Sequence, residues 1–580
     1  MRDISIWAPN AKRIQAKVDD ATFPMTPQPG GYWHTVVESA HHGSDYAFLV
    51  DDDPHAYPDP RSPWQPNGVH AASRIYDHSL FPWNTAQWNV PALADAVIYE
   101  LHIGTFTTEG TFDAAIAHLP YLKDLGVTHV EVMPVASYPG QCGWGYDGVS
   151  LYAPQEYYGG PDGLKRFVDA CHTTGLAAVL DVVYNHFGPS GNYTGVFGPY
   201  ILHEHETPWG GVVNLDGEHS AQVRRYFIDN ALMWLRDYRF DALRLDAIHA
   251  LLDKSPVHFL AQLSTEVAEL SRLLGRPLQF IAESDLNDPV VVTPRAQGGY
   301  GMDAQWSDDF HHALHAVLTG EQQGYYADFG SVAQLAKSLC SAYVYDGQLS
   351  PSRHRPHGQP ASGLSSDRFL GYIQNHDQIG NRAQGERIHA IAGMDAARLA
   401  AALVLTSPFI PLIFQGEEFA ASAPFLYFAD HEEVELRRAV SEGRRKEFAG
   451  FAWGGEVPDP ENPETFFRSR LPWNELDPAD SANEHHAMLR WYRRLLQLRR
   501  EEPALRDTDL AHVHTTFDET ARWLVVQRGN IQIACNFSTA ARSIPVSGQN
   551  EVLAASADGA VAGPASVQLP PLSAAILRSA

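Results

Sequence analysis

Residues 240–248 of the chain read FDALRLDAI, an apolar segment that contains an arginine and an aspartate two positions apart. Side chains alternate between the two faces of a strand, so Leu243 and Leu245 point one way while Arg244 and Asp246 share the other. Arg244 would then lie beside the Asp246 carboxylate, lower its pKa and keep it ionised. A charged pair inside so apolar a segment is either a structural ion pair or part of a functional site.

The size and charge of the chain limit its architecture and partners. Its 580 residues predict two to four domains, one of them large. The 42 basic and 69 acidic side chains give a net charge of −27, which argues against nucleic acid or an anionic membrane as a partner and is compatible with a neutral, hydroxyl-rich ligand. The four cysteines form no CxxC pair, so neither a zinc site nor a disulfide framework is indicated.

The sequence contains no clear targeting or membrane signal. The start, MRDISIWAPN, lacks a cationic region followed by an apolar run, so we expect a cytoplasmic protein. The most apolar segment, residues 399–414, is interrupted by Pro408 and Pro411 and is shorter than the ~20 residues that a membrane-spanning helix needs. The oligomeric state is not indicated by any pattern.

Three stretches with different patterns follow one another along the chain. Residues 1–90 are short alternating runs broken by Gly, Pro and Asp, which predicts a small N-terminal β-sandwich followed by a connection. Residues 91–503 alternate apolar strands with helical patterns, which is typical of βα units. Residues 504–580 return to strands, with Gly529-Asn530 as a two-residue hairpin turn, and predict a C-terminal β-sandwich.

The middle stretch has the number of strands that closes a parallel barrel, so we predict a (β/α)8 TIM barrel. Helices over residues 111–126, 221–238 and 484–500 would surround it, and residues 186–219, which show no period, would form a loop excursion. The eight predicted strands, of which the sixth has the weakest pattern, are residues 97–106, 129–135, 177–185, 242–248, 279–283, 302–308, 369–377 and 409–415.

Polar residues gather at the C-terminal ends of four of these strands. Active groups of such barrels come from these ends, where the βα loops begin. A scaffold that used them only for stability would have no reason to repeat the arrangement, so we predict a functional site here. The residues are Asp181, Asn185 and His186 after the third strand, Arg244 and Asp246 on the fourth, Glu283 on the fifth, and His376 and Asp377 on the seventh.

Three carboxylates that converge with an arginine and two histidines suit glycoside hydrolysis. Asp246, ionised beside Arg244, is the candidate nucleophile. Glu283 has no adjacent cation in the sequence and would lie near two carboxylates, so we expect its pKa to be raised, as a general acid requires. Asp377 would be a fixed anion. The residue pattern alone leaves this division of roles open.

Four segments resemble the short conserved regions of the α-amylase family of retaining glycosidases: DVVYNH at 181–186, ALRLDAIH at 242–249, IAES at 281–284 and IQNHDQ at 373–378. PLIFQGEEF at the eighth strand also fits this family. The resemblance implies that Asp246 is the nucleophile, Glu283 the acid/base and Asp377 the stabiliser of the transition state.

The resemblance also implies which residues contact the sugar ring at the cleaved bond. His186, Arg244 and His376 match the family's ring-contacting positions. The segment WGYDG resembles the pattern after the second strand, which implies that Tyr146 stacks on the ring and that Asp147 belongs to the surrounding polar shell.

Flanking strings resemble one branch of that family more closely than its branching enzymes. The start IWAPNAKRIQAKV resembles a leading sandwich domain of the carbohydrate-binding-module type that branching, debranching and trehalose-releasing members share. The strings SRIYDHSLFPW, IAESDLNDP and DGQLSPSRHRPHGQP resemble the trehalose-releasing members more closely than branching enzymes. This implies that the substrate is maltooligosyltrehalose, cut at the α-1,4 bond next to its terminal trehalose with retention of configuration. His249, Asp285 and Asn287 are candidates for binding the trehalose unit, although Asp and Asn in loops are often turn formers.

Other residue patterns in the chain allow different interpretations. His311, His312 and His315 fall at helical spacing but lack a HExxH-type acid, and the residues around Asn185 do not indicate a calcium site, so we expect no required metal or cofactor. A branching or other transglycosylating enzyme would use the same carboxylates. A catalytically silent glycan-binding protein would keep the barrel for recognition, although the complete set of carboxylates speaks against it.

Overall fold

The computed structural model describes residues 2–85, 87–207, 209–448 and 456–579. At its centre eight strands form a closed parallel barrel, in which the last strand pairs with the first. The strands are β1 (Ile98–Leu101), β2 (His129–Val132), β3 (Ala177–Val182), β4 (Ala242–Leu245), β5 (Gln279–Ala282), β6 (Ala304–Trp306), β7 (Phe369–Gly371) and β8 (Ile410–Phe414). The predicted TIM barrel is confirmed, and every strand is shorter than predicted because one or both ends of each apolar run lie in the connecting loops.

The interior of the barrel changes from apolar to charged along the strands. Near the N-terminal ends, the inward side chains of Ile98, Val179, Ala242, Ile281, Ala304, Leu370 and Leu412 belong to one packed cluster. Two residues further along come Glu100, Asp181 and Arg244, which are buried together with Glu131 of the neighbouring strand. The strand registers place Glu100 beside Glu131 and Asp181 beside Arg244. The period of two thus puts a charged layer on top of an apolar one.

Helices surround the barrel, and most of the longer ones bury apolar side chains against it. The longer ones are Gly160–Thr174, Ser220–Arg236, Phe259–Leu274, Asp308–Thr319, Val332–Ser341, Met394–Thr406, Val434–Phe448 and Glu484–Glu501. Short helices cover Ile103–Phe106, Phe112–Ile116, Leu119–Leu125, Thr194–Phe197, His376–Gly380, Ile388–Ala392 and Pro463–Arg468. Among the described residues, no helix is long and apolar enough to cross a membrane.

The helix predicted over residues 111–126 is two helices. Thr111 caps the first by accepting a hydrogen bond from the amide of Ala114 at 3.2 Å, and Gly126 ends the second with φ 111°. The break follows from Pro120, which has no amide hydrogen and whose ring would clash with the carbonyl group of Ile116 in a continuous helix. The other two predicted helices are confirmed as Ser220–Arg236 and Glu484–Glu501.

Antiparallel sheets precede and follow the barrel, which confirms the flanking β-sandwiches. The N-terminal strands are Arg2–Trp7, Ile14–Val18, Ala21–Pro24, Thr26–Gln28, Tyr32–Val37, Asp45–Val50, Ala56–Tyr57 and Ser73–Arg74. The C-terminal strands are Val513–Asp518, Trp523–Arg528, Ile531–Asn536, Arg542–Pro545, Asn550–Ala555, Val561–Ala562, Ser566–Leu569 and Ser573–Ser579. The predicted turn at Gly529-Asn530 joins two of them, with φ 54° at Gly529.

Within the residues that the structure describes, three two-stranded hairpins lie in the loops at the C-terminal face of the barrel. One pairs Ala136–Ser137 with Ser150–Pro154, and another pairs Leu349–Ser350 with Arg355–Pro356. The third, Ile201–Thr207 with Gly210–Val213, lies in the excursion after β3, which was predicted to be an irregular loop.

Candidate active site

Arg244 is completely buried at the centre of the candidate site and contacts three carboxylates. Its Nη1 donates to Asp181 Oδ2 at 2.7 Å and to Asp246 Oδ1 at 2.9 Å, and its Nη2 lies 2.9 Å from Glu283 Oε2. Its Cζ is 4.2 Å from the centre of the Trp306 ring. The planar guanidinium presents several donors in a fixed geometry, so one cation holds the three carboxylates in place.

Asp246 is held by donors to both of its oxygens. Oδ2 accepts a hydrogen bond from Asn185 Nδ2 at 3.2 Å, while Arg244 binds Oδ1. Burial raises the pKa of Asp246 and Arg244 lowers it, and the result is a pKa above the ordinary value. The prediction that Arg244 keeps this pKa low is therefore wrong, because the loss of solvation outweighs the attraction of the cation.

Glu283 follows β5 and faces the same cation. Its Oε2 accepts a hydrogen bond from the amide of Ala247 at 2.7 Å, and Ala247 adopts the left-handed region with φ 39°. Burial is the main cause that raises the pKa of Glu283, while Arg244 lowers it and Asp246 raises it. The predicted direction of the pKa shift is confirmed, although the barrel brings Arg244 to Glu283 from the neighbouring strand, a cation that is not adjacent in the sequence.

His376 and Asp377 follow β7 and begin the short helix His376–Gly380. The carboxylate of Glu100 accepts hydrogen bonds from the backbone amide and Nδ1 of His376, and His376 Nε2 lies 3.5 Å from Asp377 Oδ2. Burial opposes the positive charge, but Asp377 and Glu100 raise the pKa of His376 to about 9. Glu100 was not predicted, although an acidic residue at an inward position of an apolar strand was a signal in the sequence.

Tyr146 links these groups to β3. Its hydroxyl donates to Asp181 Oδ2 at 2.5 Å and lies 2.8 Å from His376 Nε2, and its ring stacks on His376 with centroids 5.1 Å apart. Gly145 makes the turn before it with φ 103°, and a Cβ there would lie 2.0 Å from the carbonyl oxygen of Pro134. This position therefore requires glycine.

Asp147 and His186 extend the polar wall of the site. Asp147 Oδ2 lies 3.5 Å from His431 Nε2. The ring of His186 is held between Asn185 Oδ1, at 2.7 Å from Nδ1, and the carbonyl oxygen of Tyr146, at 3.1 Å from Nε2. Trp209, from the hairpin that the sequence did not predict, stacks on His186 with an interplanar angle of 14°.

The three residues suggested for the trehalose unit have different surroundings. His249 is exposed and lies in a single turn after the nucleophile candidate. Asp285 is half-buried, with Oδ2 at 3.3 Å from Arg353 Nη2. Asn287 is buried, and its amide donates to Asp309 Oδ2 at 2.8 Å and to the carbonyl oxygen of Tyr345 at 3.0 Å. The structure therefore gives Asn287 a role inside the protein and does not bring its amide hydrogens to the substrate.

The histidines at helical spacing are packing residues. His311 stacks on Tyr372, and His315 stacks on Tyr326 with centroids 4.3 Å apart. Burial lowers the pKa of both histidines, so they are neutral aromatic groups in the core. In the ranges that the structure describes, no group of three or more His, Cys, Asp or Glu side chains is arranged to hold a metal ion.

The arrangement fits acid–base and nucleophilic chemistry at an acetal carbon. Glu283 is a carboxyl group with a raised pKa, Asp246 has both oxygens aligned by donors, and Asp377 supplies a further anion. Together with Glu100 and Asp181, these carboxyl groups outnumber the cations Arg244 and His376, so positive charge at a bound sugar would be stabilised. The fold and the site thus define the class of the α-amylase-type glycosidases.

Comparisons with known proteins agree with this class. The family model described as "Alpha amylase, catalytic domain" matches residues 75–195, and a domain of unknown function, DUF3459, matches residues 508–576. A crystal structure from Salmonella typhimurium named for an alpha amylase has a TM-score of 0.91 at 38% identity, with 100% of this chain and 97% of that one covered. A glucan branching enzyme of Shewanella baltica is 29% identical over 71% of this chain and 59% of its own length.

The sequence relatives define the branch of the family. The malto-oligosyltrehalose trehalohydrolase of Mycobacterium tuberculosis (strain CDC 1551 / Oshkosh) is 46% identical over 587 residues, covering 100% of both chains. That of Rhizobium sp. (strain M-11) is 46% identical over 582 residues, covering 99% of this chain and 97% of the relative. The chain therefore belongs to the malto-oligosyltrehalose trehalohydrolase family, within the α-amylase family of glycosidases.

Proposed function

We propose that the chain hydrolyses the α-1,4-glucosidic bond next to the terminal trehalose of maltooligosyltrehalose and releases trehalose and a maltooligosaccharide. One observation carries the proposal: Asp246 and Glu283 lie on separate nitrogens of the buried Arg244, in a chain 46% identical along its full length to enzymes named for this activity. The substrate is a neutral oligosaccharide, which suits a protein with a net charge of −27.

In the first step, Asp246 attacks the anomeric carbon and forms an ester bond to it. The bond from that carbon to the leaving oxygen breaks, and Glu283 transfers its proton to this oxygen, so trehalose leaves as a neutral molecule. The raised pKa of Glu283 supports its role as the acid, because the proton must still be present near neutral pH.

In the second step, water replaces trehalose. Glu283, now ionised, takes a proton from the water while its oxygen attacks the anomeric carbon and the ester bond to Asp246 breaks. Two inversions at the same carbon give net retention. Asp377, which lies 3.5 Å from the charged His376, stabilises the positive charge that develops on the ring during both steps.

The remaining ring contacts are proposed from their positions in the site. Tyr146 stacks its ring on the sugar, and Asp147 completes the polar wall. His186, Arg244 and His376 are the other proposed ring contacts. Asp285 and His249 are the proposed trehalose contacts, since both lie beyond the acid and the nucleophile with accessible side chains. We also propose a cytoplasmic location, because all four cysteines are free.

Product analysis tests the proposal. Incubation of the protein with maltotriosyltrehalose is expected to release trehalose and maltotriose, with the new reducing end first formed as the α-anomer. New α-1,6 linkages formed from amylose would instead assign a branching activity, as the Shewanella relative's name suggests for that protein. Binding of the oligosaccharide without any product would leave a glycan-binding function and contradict the proposal.

A further inference from the structure

A further carboxyl group, which the proposed mechanism does not use, lies beside the proposed general acid. Asp308 is the first residue of the helix Asp308–Thr319, which starts two residues after β6. Strand β6 pairs with β5, the strand that leads into Glu283. The Oδ1 atom of Asp308 accepts a short hydrogen bond from the hydroxyl of Tyr372. Asp308 therefore lies at the catalytic face of the barrel, at the end of the strand next to the acid.

A chain of contacts joins Asp308 to the groups of the active site. Tyr372, its hydrogen-bond partner, packs against Trp306 with ring centroids 5.4 Å apart, and Arg244 Cζ lies 4.2 Å from the centre of the Trp306 ring. Burial, and after it the charges of Glu283 and Asp285, raise the pKa of Asp308 to about 7, against the hydrogen bond from Tyr372. The Tyr372 hydroxyl is itself in the field of Asp308, Glu283 and Asp377. The Asp308 carboxyl group therefore lies at the edge of the active site, beside the strand that carries Glu283.

The next residue shows what a purely structural acid looks like at this place. Asp309 is buried, and its Oδ2 accepts hydrogen bonds from the amides of Val344 and Tyr345 and from the side chain of Asn287, at 2.7, 2.8 and 2.8 Å. Asp308 is only half-buried, and no hydrogen bond from the described part of the chain reaches its Oδ2. This oxygen is free to accept a hydrogen bond from a hydroxyl group of a ligand.

The neighbours of Asp308 indicate which end of the substrate it meets. In the proposed mechanism Asp246 bonds to the sugar that stays and Glu283 protonates the oxygen that leaves. Asp308 follows the strand beside Glu283, and the charges that act on it include those of Glu283 and of Asp285, a proposed trehalose contact. Asp308 thus faces the leaving sugar.

We propose that Asp308 accepts a hydrogen bond from a hydroxyl group of the leaving trehalose unit and determines specificity for it. This inference rests on the proposed function. A site built to bind a sugar hydroxyl discriminates strongly against a leaving group that does not present it there, because its own polar group is then left unpaired. The bond is charge-assisted when the carboxyl group is ionised, which makes it worth more than a neutral hydrogen bond.

Binding measurements with Asp308→Asn in an inactive Glu283→Gln background test the inference. Titration calorimetry is expected to show a Kd for trehalose about tenfold higher than in Glu283→Gln alone. The Kd for maltotriose, which occupies the other side of the cut, should change less than about twofold. Asp367→Asn is the matched control, because Asp367 is also half-buried and accepts a hydroxyl hydrogen bond, from Ser365, but precedes β7 at the opposite end of the barrel.

Each other outcome has a definite meaning. An unchanged Kd for trehalose, or an equal loss of affinity for trehalose and maltotriose, overturns the inference. If the Kd for trehalose is unchanged but Asp308→Asn alters the pH profile of hydrolysis, Asp308 acts through Glu283 and the inference is also overturned. Asp308→Ser, which keeps a small polar group at the helix start, gives the same comparison if Asp308→Asn does not fold. A wild-type enzyme that releases no trehalose from maltotriosyltrehalose would contradict the proposed function instead.

Discussion

Glu100 holds His376 at two points, accepting hydrogen bonds from its backbone amide at 3.0 Å and from its ring Nδ1 at 2.5 Å. The first residue comes from strand β1 and the second from the loop after β7, and both are buried. The pair leaves Nε2 of the ring directed at the Tyr146 hydroxyl and at Asp377. A carboxylate below the site therefore fixes both the orientation and the charge of a histidine within it.

Replacing Glu100 with glutamine should move the alkaline limb of the pH profile to lower pH. In the wild type, His376 is charged below a pKa of about 9 and loses its charge as the pH rises through that value. Glutamine removes one of the negative charges that raise this pKa, so the charge is lost at lower pH. We expect kcat/KM for maltotriosyltrehalose to fall about tenfold at pH 8 and only a few-fold at pH 5.5.

The stability of the same variant provides an independent check. Because the folded-state pKa of His376 is raised, its contribution to stability is fully present below the ordinary value of 6.5 and is lost as the pH rises through about 9. The unfolding free energies of Glu100→Gln and the wild type, measured in urea, should differ most near pH 6 and converge above pH 9. A loss of activity that is equal at pH 5.5 and pH 8 would contradict the assigned role.

A substrate whose leaving group needs no proton distinguishes the role of Glu283 from that of Asp246. Both Glu283→Gln and Asp246→Asn are expected to lower kcat on maltotriosyltrehalose by at least about 10³-fold while the fold stays intact. Maltotriosyl fluoride needs no proton on its leaving group, so Glu283→Gln should still release fluoride in a burst as the ester to Asp246 forms. Asp246→Asn should give no burst.

Circular dichroism and urea unfolding are the folding controls for this comparison. The burst amplitude of Glu283→Gln should approach one fluoride ion per active site, because the ester accumulates when no base activates water. A variant at either position that retained most of its activity on maltotriosyltrehalose, or a fluoride burst from Asp246→Asn, would rule out the assignment.

The sequence predicted the barrel, and it predicted that the candidate catalytic residues meet at one end of it, because both depend on short-range rules. The alternation in FDALRLDAI predicts that Arg244 and Asp246 share a face, and the structure confirms their contact at 2.9 Å. The rule that active groups follow parallel strands then brought Asp181, Glu283 and Asp377 to one end of the barrel without any knowledge of their contacts. These inferences need only the period of a strand and the direction of the chain.

The predictions that were wrong or absent concern properties that depend on contacts between strands and on burial. The contact of Arg244 with Glu283 spans two strands, so no spacing in the sequence reveals it. The raised pKa of Asp246 depends on how much water the folded site excludes, which neighbouring residues in the chain do not determine. Asn287 follows the acid in sequence, yet its left-handed backbone, with φ 51°, turns the side chain inward to Asp309.

Arg244 should be essential for stability as well as for activity. Arg244→Met leaves three carboxyl groups near one another in the interior without their cation, and we expect the free energy of unfolding to fall by about 3–5 kcal/mol. Arg244→Lys keeps the charge but not the planar fork, so it should be the more stable of the two while still losing at least about 10²-fold in kcat/KM.

Urea unfolding of the two variants measures this difference. Arg236→Met is the control, because Arg236 pairs with Asp237 at the protein surface, and it should change stability by less than about 0.5 kcal/mol. If Arg244→Met were as stable as Arg236→Met, the conclusion that Arg244 stabilises the three buried carboxylates would be wrong.

Glu418, in the turn after β8, should make the protein less stable as the pH rises from 5 to 8. It is buried, and its Oε1 accepts hydrogen bonds from the hydroxyls of Tyr121 at 2.9 Å and Tyr99 at 3.1 Å. Burial raises its pKa from the ordinary 4.5 to about 7, so the stability that the protonated form provides is fully present below pH 4.5 and is lost as the pH rises through about 7. Glu418→Gln has no charge to bury and keeps an acceptor for both hydroxyls. The unfolding free energies of Glu418→Gln and the wild type are to be measured in urea at pH 5, 6, 7 and 8. The variant's value minus the wild-type value should increase by up to about 3 kcal/mol across this range. A difference that stays constant with pH would mean that the pKa of Glu418 is not raised in the folded protein.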